Sequence, residues 1–356
     1  MAALTLLAAI LAFIKPASFL PFGAIYKELF AATMFALGVV LNREDLVSTL
    51  KEPLRIGLGI MTQFVVMPIL AYTIVVTTGL PPALALGFII VGSAPGAMAS
   101  NVIVYLAGGA LAYSISLTTV ATFLAPLLTP FLVANLGGQF IAIDAIGMMW
   151  TITYILVIPL AGGMLFRHYL DKAFAWRFTL IHLVVATIAI TLLANLSQLQ
   201  TWQWLLAATF LLILPLLAGL VPRNSAGRAL AWSREIAPAI AAIAIIVICA
   251  FAVAKNQAQI QQVGALVFAL VVLLNILGYL AGWFLARLYR FDRTHRITLA
   301  IEIGMQNAGM GVALALDQFA EQPEVALPGA LFAVWCILTA AGVSTYLRRK
   351  QALVNA

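Results

Sequence analysis

Apolar runs of about 20 residues, the length a helix needs to cross a bilayer's hydrocarbon core, follow one another along almost the whole chain. That succession leaves few folds open. Soluble domains carry roughly a quarter charged residues; here 9% of 356 residues are charged and 64% are hydrophobic. Such a surface cannot face water on all sides, so lipid supplies most of its solvent. Within lipid an unpaired backbone group is costly, which restricts spanning structures to helices and closed barrels. No stretch alternates with the period of a barrel strand. The expected fold is an all-α polytopic membrane protein.

Hydropathy divides the chain into about twelve segments: 3–20, 26–42, 54–79, 83–106, 111–135, 144–166, 178–196, 203–221, 236–254, 262–287, 294–318 and 326–347. The run Leu4 to Phe13 is followed by Lys15-Pro16 rather than by small residues, so it reads as part of the first span and not as a cleaved signal. With the amino terminus inside, 16 of the 19 Lys and Arg residues fall on the cytoplasmic side, leaving Lys15, Lys27 and Lys255 outside. That asymmetry follows the positive-inside rule and places both termini in the cytoplasm of a cell with this protein in its inner membrane. The net charge of +7 therefore points to anionic lipid headgroups as partner, and not to nucleic acid.

Two segments are not ordinary helices. The fourth carries GSAPGAMASN (Gly92 to Asn101), with proline, glycine and polar residues at mid-span; the eleventh carries IEIGMQNAGMG (Ile301 to Gly311). Proline removes a donor and glycine loosens the backbone, and the freed carbonyls need partners that lipid cannot give. Each is preceded by a segment with one mid-span amide, Gln63 or Asn275. The pattern of amide helix then broken helix thus occurs twice, once toward each end of the chain. Interrupted segments at matching positions of two halves mark the binding site of a secondary transporter. Kinked helices packed through small residues are the plainer alternative. A shorter repeat pairs PLAGGMLFR (Pro159 to Arg167) with PLLAGLVPR (Pro215 to Arg223), prolines and arginines in the same register, and suggests a duplicated helix pair.

Of the twelve acidic residues only Glu302 falls in the middle of an apolar segment. An ionised carboxylate there needs a cation, a partner or water. A bound cation is the reading favoured by the neighbouring oxygens of Gln63, Ser100, Asn101, Ser114, Thr118 and Gln306; a protonated Glu302 is the alternative. Ser114 and Thr118, at i and i+4, share a helix face. Oxygen ligands with one carboxylate suit a hard monovalent ion. Cys249 and Cys336 lie in apolar runs without metal spacing, and the histidines His168, His182 and His295 are scattered. His168 and His295 read as solvated loop residues. No Walker-type, HExxH or GxSxG motif is present, so no enzyme is expected.

The stretch PGAMASNVIVYLA resembles the PGG-x-x-SN signature of the bile acid:sodium symporter family, and IEIGMQNAGMG resembles its E-x-G-x-Q-N signature. SISLTTVATFLAPLLTP lies in the family's register, and the resemblance runs through residues 26–166 and 236–346. It implies an inverted-repeat transporter with two broken, crossing helices and a core of ten segments, here joined by an extra hairpin. The implied organisation is panel helices at 1–53, core repeat 1 at 54–135, panel helices at 136–261 with the hairpin near 172–227, core repeat 2 at 262–347 and a cytoplasmic tail at 348–356. Two transported sodium ions are implied. One would be held by Ser100, Asn101, Ser114, Thr118 and Glu302, the other by Gln63, Glu302 and Gln306 with the backbone oxygens of Ile303 and Met305. The implied substrate is a small organic anion, a carboxylate or sulfonate, carried between core and panel near Asn307 by alternating access. Met98, Ala97 and Cys336 replace small or polar residues of bile-acid-binding relatives, which favours a small carboxylate such as a pantoate-like or keto acid. An exchanger or exporter on a related fold, and a non-transporting membrane sensor, are the other readings.

Overall fold

The computed structural model describes residues 2–41, 52–171, 179, 182–188, 190–191, 201–221 and 223–355. These residues are helical with short connections. The helices are α1 (Ala2–Ile14), α2 (Tyr26–Val40), α3 (Pro53–Thr78), α4 (Pro82–Gly92), α5 (Ser100–Leu106), α6 (Leu111–Gly137) and α7 (Ala145–Asp171). There follow α8 (Thr201–Ala208), α9 (Leu214–Gly219), α10 (Arg223–Lys255), α11 (Gln257–Leu288), α12 (Arg293–Gly304), α13 (Ala308–Gln318) and α14 (Leu327–Asn355).

Among the described residues six helical stretches are long and apolar enough to cross a bilayer: Pro53–Thr78, Leu111–Gly137, Ala145–Asp171, Glu235–Lys255, Gln257–Leu288 and Pro323–Leu347. The expected segments 83–106 and 294–318 are each divided, into α4 with α5 and α12 with α13. At about 1.5 Å per residue none of these four pieces reaches across a core about 30 Å thick. The expected first segment, 3–20, is shorter than its apolar run. Helix α1 stops at Ile14, because Pro16 forces Lys15 out of helical geometry (φ −129°, ψ 69°) and starts a 3-10 turn. Nine of the nineteen residues of the expected segment 178–196, and with them part of the extra hairpin, lie outside the described residues.

Two compact units divide the chain. One contains Met1–Ala24, Arg43–Met149 and Ile246–Ala356, the other Ile25–Asn42 and Trp150–Ile245. In the second unit α2 packs on α7 through glycines. A Cβ on Gly163 would lie 2.9 Å from Gly38 Cα, so only glycine permits this approach. Arg167 is buried here rather than in a loop, and its Nη1 donates to Val40 O (2.5 Å) at the end of α2, where orphan carbonyls collect.

The shorter sequence repeat has a structural counterpart in the same unit. Wide π turns occupy Thr153–Val157 and Thr209–Ile213, one just before Pro159 and the other just before Pro215, so they recur in the register of the repeat. Proline cannot donate to the carbonyl four residues back. For Pro215 that carbonyl is Leu211 O, and it is taken by His182 Nε2 at 2.7 Å. Tyr169 Oη lies 2.9 Å from His182 Nδ1. The one histidine at membrane depth thus repairs a helix.

In the first unit α11 lies unusually close to α12. A Cβ at Gly282 would meet Leu299 O at 2.7 Å, and one at Gly278 would meet Ile303 O at 3.1 Å. Small residues at i and i+4 allow such backbone approach in membranes. Helix α1 packs on α14 in this unit.

Candidate functional site

Both helix breaks lie in the first unit, and each supplies what the other lacks. Pro95 has no N–H, and the unwound stretches Ser93–Ala99 and Met305–Asn307 expose backbone groups that lipid would leave unpaired. They run antiparallel, bridged at Gly96 and Gln306. Ala97 N donates to Met305 O and Asn307 N to Pro95 O, both at 2.8 Å. Asn307 also caps α13, its Oδ1 accepting from Met310 N at 3.1 Å.

The two mid-span amides secure the breaks from behind. Gln63 Nε2 donates to Ala94 O (3.1 Å), and Asn275 Nδ2 donates to Gly304 O (2.8 Å). Each therefore holds a carbonyl at the break of the helix that follows its own. Gln63 Nε2 also reaches Gln306 Oε1 (2.7 Å), and Gln306 Nε2 donates to Ile303 O (2.9 Å).

Glu302 is buried on the last turn of α12 before the break. Ser100 Oγ (2.6 Å) and Ser114 Oγ donate to its Oε1. Asn101 Oδ1 accepts from Ser114 Oγ (2.7 Å) and Thr118 Oγ1 (3.2 Å), while Thr118 Oγ1 also reaches Ser114 O. A hydroxyl carries one hydrogen. Ser114 and Thr118 thus offer two hydrogens to four contacts, so acceptors outnumber donors. Glu302 Oε2 is buried with no hydrogen-bond partner, and Gly96 faces it: a Cβ there would lie 2.9 Å from that oxygen. A surplus of buried acceptors around one carboxylate is an arrangement that a cation satisfies.

Of the residues singled out in the sequence, Ser100, Asn101, Ser114, Thr118 and Glu302 form one hydrogen-bonded set, and Gln63, Gln306 and Ile303 form a second one at the same pair of breaks. Met305 and Ala97 join the two breaks through the backbone. Met98 is buried in the first break and Asn307 closes the second. Cys336, on α14, directs its Sγ toward Ala333 O of its own helix at 3.5 Å. Among the described residues no cluster of three or more His, Cys, Asp or Glu side chains could hold a metal ion.

His295 departs from expectation. It is not a solvated loop residue but the third residue of α12, with its side chain 14% exposed. Its Nδ1 lies 2.6 Å from Asp292 Oδ2, and Arg55 Nη1 lies 3.3 Å from its Nε2. Arg55 in turn pairs with Glu52 at 2.9 Å, and Tyr113 Oη donates to Arg55 O at 3.1 Å. This cluster joins the first turns of α3, α6 and α12, the helices that carry Gln63, Ser114 and Glu302. The signal available in sequence was the Asp-x-Thr-His start of α12, a capping pattern.

The described residues define a helical protein with six stretches long and apolar enough to cross a membrane, and comparison with known proteins places it in the transporter class. A model described as the sodium bile acid symporter family matches residues 29–197, and one described as the SBF-like CPA transporter family matches 182–349. The chain belongs to the bile acid:sodium symporter family. It is 29% identical over 342 residues to an "Uncharacterized sodium-dependent transporter YocS" of Bacillus subtilis, covering 96% of this chain and 88% of that one. "Probable sodium/metabolite cotransporter BASS1, chloroplastic" is similar in Arabidopsis thaliana (28% identity) and in Oryza sativa subsp. japonica (30% identity). Each comparison covers 85% of this chain, and the chain spans 61% and 60% of those plant proteins.

Proposed function

We propose that this chain is a sodium-coupled symporter that carries a small organic anion across the membrane by alternating access. The observation that carries the reading is the acceptor-rich set around Glu302, with Oε2 buried and unpartnered. One sodium ion would take Glu302, Ser100, Asn101, Ser114 and Thr118; a second would take Glu302, Gln63, Gln306 and the backbone oxygens of Ile303 and Met305. Relatives named as a sodium-dependent transporter and as sodium/metabolite cotransporters support sodium as the coupling ion.

The geometry weighs against a proton carrier. A protonated Glu302 would need an acceptor for its O–H. Oε1 already accepts from two serines, and Oε2 finds no acceptor among the described residues. An ionised carboxylate with a cation leaves neither oxygen wanting.

The anion would sit beside the paired breaks, near Asn307, Ala97 and Met98, where α13 begins and its positive end favours negative charge. Cys336 marks the corresponding part of α14. Small carboxylates and sulfonates are the substrate class, and inverted repeats centred on α3–α5 and α11–α13 provide the two states. A thermal-shift screen of small organic anions tests this reading. Stabilisation by an anion in sodium but not in potassium is expected; anion effects identical in both salts would contradict it.

A further inference from the structure

Outside the ion site, the first unit contains a cavity of about 350 Å³ between α11, α12 and α14. We propose that this groove holds one acyl chain of an anionic phospholipid, with the phosphate at its arginine-rich end. Its walls include Tyr279, Trp283, Ile297, Ala300, Val343 and Leu347. The polar residues that border it carry no charge, and the Tyr279 hydroxyl and Asn275 Oδ1 are buried without a hydrogen-bond partner among the described residues. Asn275 donates to Gly304 O, and Thr339 Oγ1 donates to Trp335 O and Cys336 O. Among the described residues no charged side chain lines the groove to hold a soluble anion, whereas its apolar walls suit a hydrocarbon chain. At the rim stand Ile276, Leu280 and Tyr346, exposed to 45%, 47% and 64%. Large apolar side chains exposed on a bilayer-embedded chain face lipid, so the opening is toward the bilayer.

Charge supplies the second half of the argument. Two of the three walls become basic at one end. Arg287 lies one turn beyond Trp283 on α11, and Arg293 and Arg296 precede Ile297 on α12. Leu347 and Trp283 pack against the same buried cluster, which contains Ile297, so α14 reaches the same end. Arg287 and Arg293 form no ion pair with an acidic side chain among the described residues. An apolar groove between transmembrane helices that ends in unneutralised arginines matches the two parts of an anionic lipid. Trp283 and Tyr346 stand near that end, as aromatic residues do at membrane interfaces.

The groove backs onto the second break. The Tyr279 ring lies against Gly304, close enough that a Cβ there would come within 2.6 Å of it. A chain in the groove therefore braces α12 directly behind Glu302.

The test uses the full chain purified in detergent, with phosphatidylglycerol, phosphatidylcholine or inorganic phosphate added. Native mass spectrometry should show phosphatidylglycerol retained in preference to phosphatidylcholine, by roughly fivefold per engaged arginine. Arg287→Gln with Arg293→Gln should abolish that preference, and Ala300→Phe, which fills the groove, should abolish retention of both lipids. A phosphatidylglycerol with a photoactivatable acyl chain should label wild-type peptides containing residues 276–283, 297–301 or 339–347. That measurement needs no variant to fold. Equal retention of the two lipids, labelling confined to other peptides, or stabilisation by inorganic phosphate equal to that by phosphatidylglycerol would each overturn the proposal.

Discussion

The Gln63 side-chain amide donates to Gln306 Oε1 across 2.7 Å, joining two buried residues 243 positions apart in sequence. Through this bond α3, the first break and the second break become one structure, because the same nitrogen also reaches Ala94 O. Substituting Gln63→Ala should leave those two acceptors short of a donor, at a cost of about 1–3 kcal/mol for each buried group left unpaired. Thermal unfolding should show the loss, and the stabilisation by sodium should shrink with it. An unchanged response to sodium would separate Gln63 from the ion site.

Gly96 tests the space over Glu302 rather than its bonds. A methyl group there would stand 2.9 Å from Oε2, the oxygen that has no partner. Gly96→Ala should raise the sodium concentration needed for half-maximal stabilisation roughly tenfold, equivalent to about 1.4 kcal/mol. Sodium titrations of the purified variant give the answer, and an unshifted midpoint would mean that no ion lies on that side of the carboxylate.

Asp292 gives a pH dependence whose sign is fixed by its bonds. Partial burial pushes its carboxyl up, but hydrogen bonds from Thr294 and from the His295 backbone and ring outweigh this and hold it below the ordinary carboxylate range. A carboxyl depressed on folding stabilises above its unfolded pKa, and the contribution is lost as pH falls through the folded value. Asp292→Asn keeps much of the α12 cap yet removes that acid sensitivity. Asp292→Ala should also cost the cap, typically about 1 kcal/mol. Unfolding measured from pH 7 downward distinguishes the three proteins; parallel curves for wild type and Asn would refute the assignment.

His182 belongs to the second unit and should act on stability alone. His182→Phe leaves Leu211 O unpaired above Pro215, a penalty of about 1–3 kcal/mol, while sodium-dependent stabilisation persists. Gln, which can donate to the same carbonyl, should recover part of the loss. Loss of the sodium response in the Phe variant would show that this helix repair supports the ion site.

Sequence revealed most of the candidate site because lipid makes polar residues conspicuous. Pro95, Gly96, Glu302 and the flanking amides stood out against apolar helices, and their oxygen chemistry narrowed the ligand before any contact was known. What stayed hidden depended on distant geometry. Asn275 was visible as a mid-span amide, but its grip on Gly304 O needed the approach of α11 to α12 through Gly278 and Gly282. His182 read only as one of three scattered histidines because the carbonyl it serves, Leu211 O, is released by Pro215, on a later helix than its own. His295 read as solvated because its partners Glu52 and Arg55 come from the far end of the chain. Hydropathy also overran the end of α1, since Leu20 and its neighbours are apolar without being helical in the α sense.

The central claim is that Glu302 couples sodium to the movement of an anion. The most direct measurement is uptake of a stabilising organic anion into proteoliposomes under an imposed inward sodium gradient, for wild type, Glu302→Gln and the control Asp317→Asn. Sodium-driven uptake by wild type and by the Asp317 variant, with none by the Glu302 variant, is the predicted result. Full sodium-driven uptake by Glu302→Gln would contradict the account.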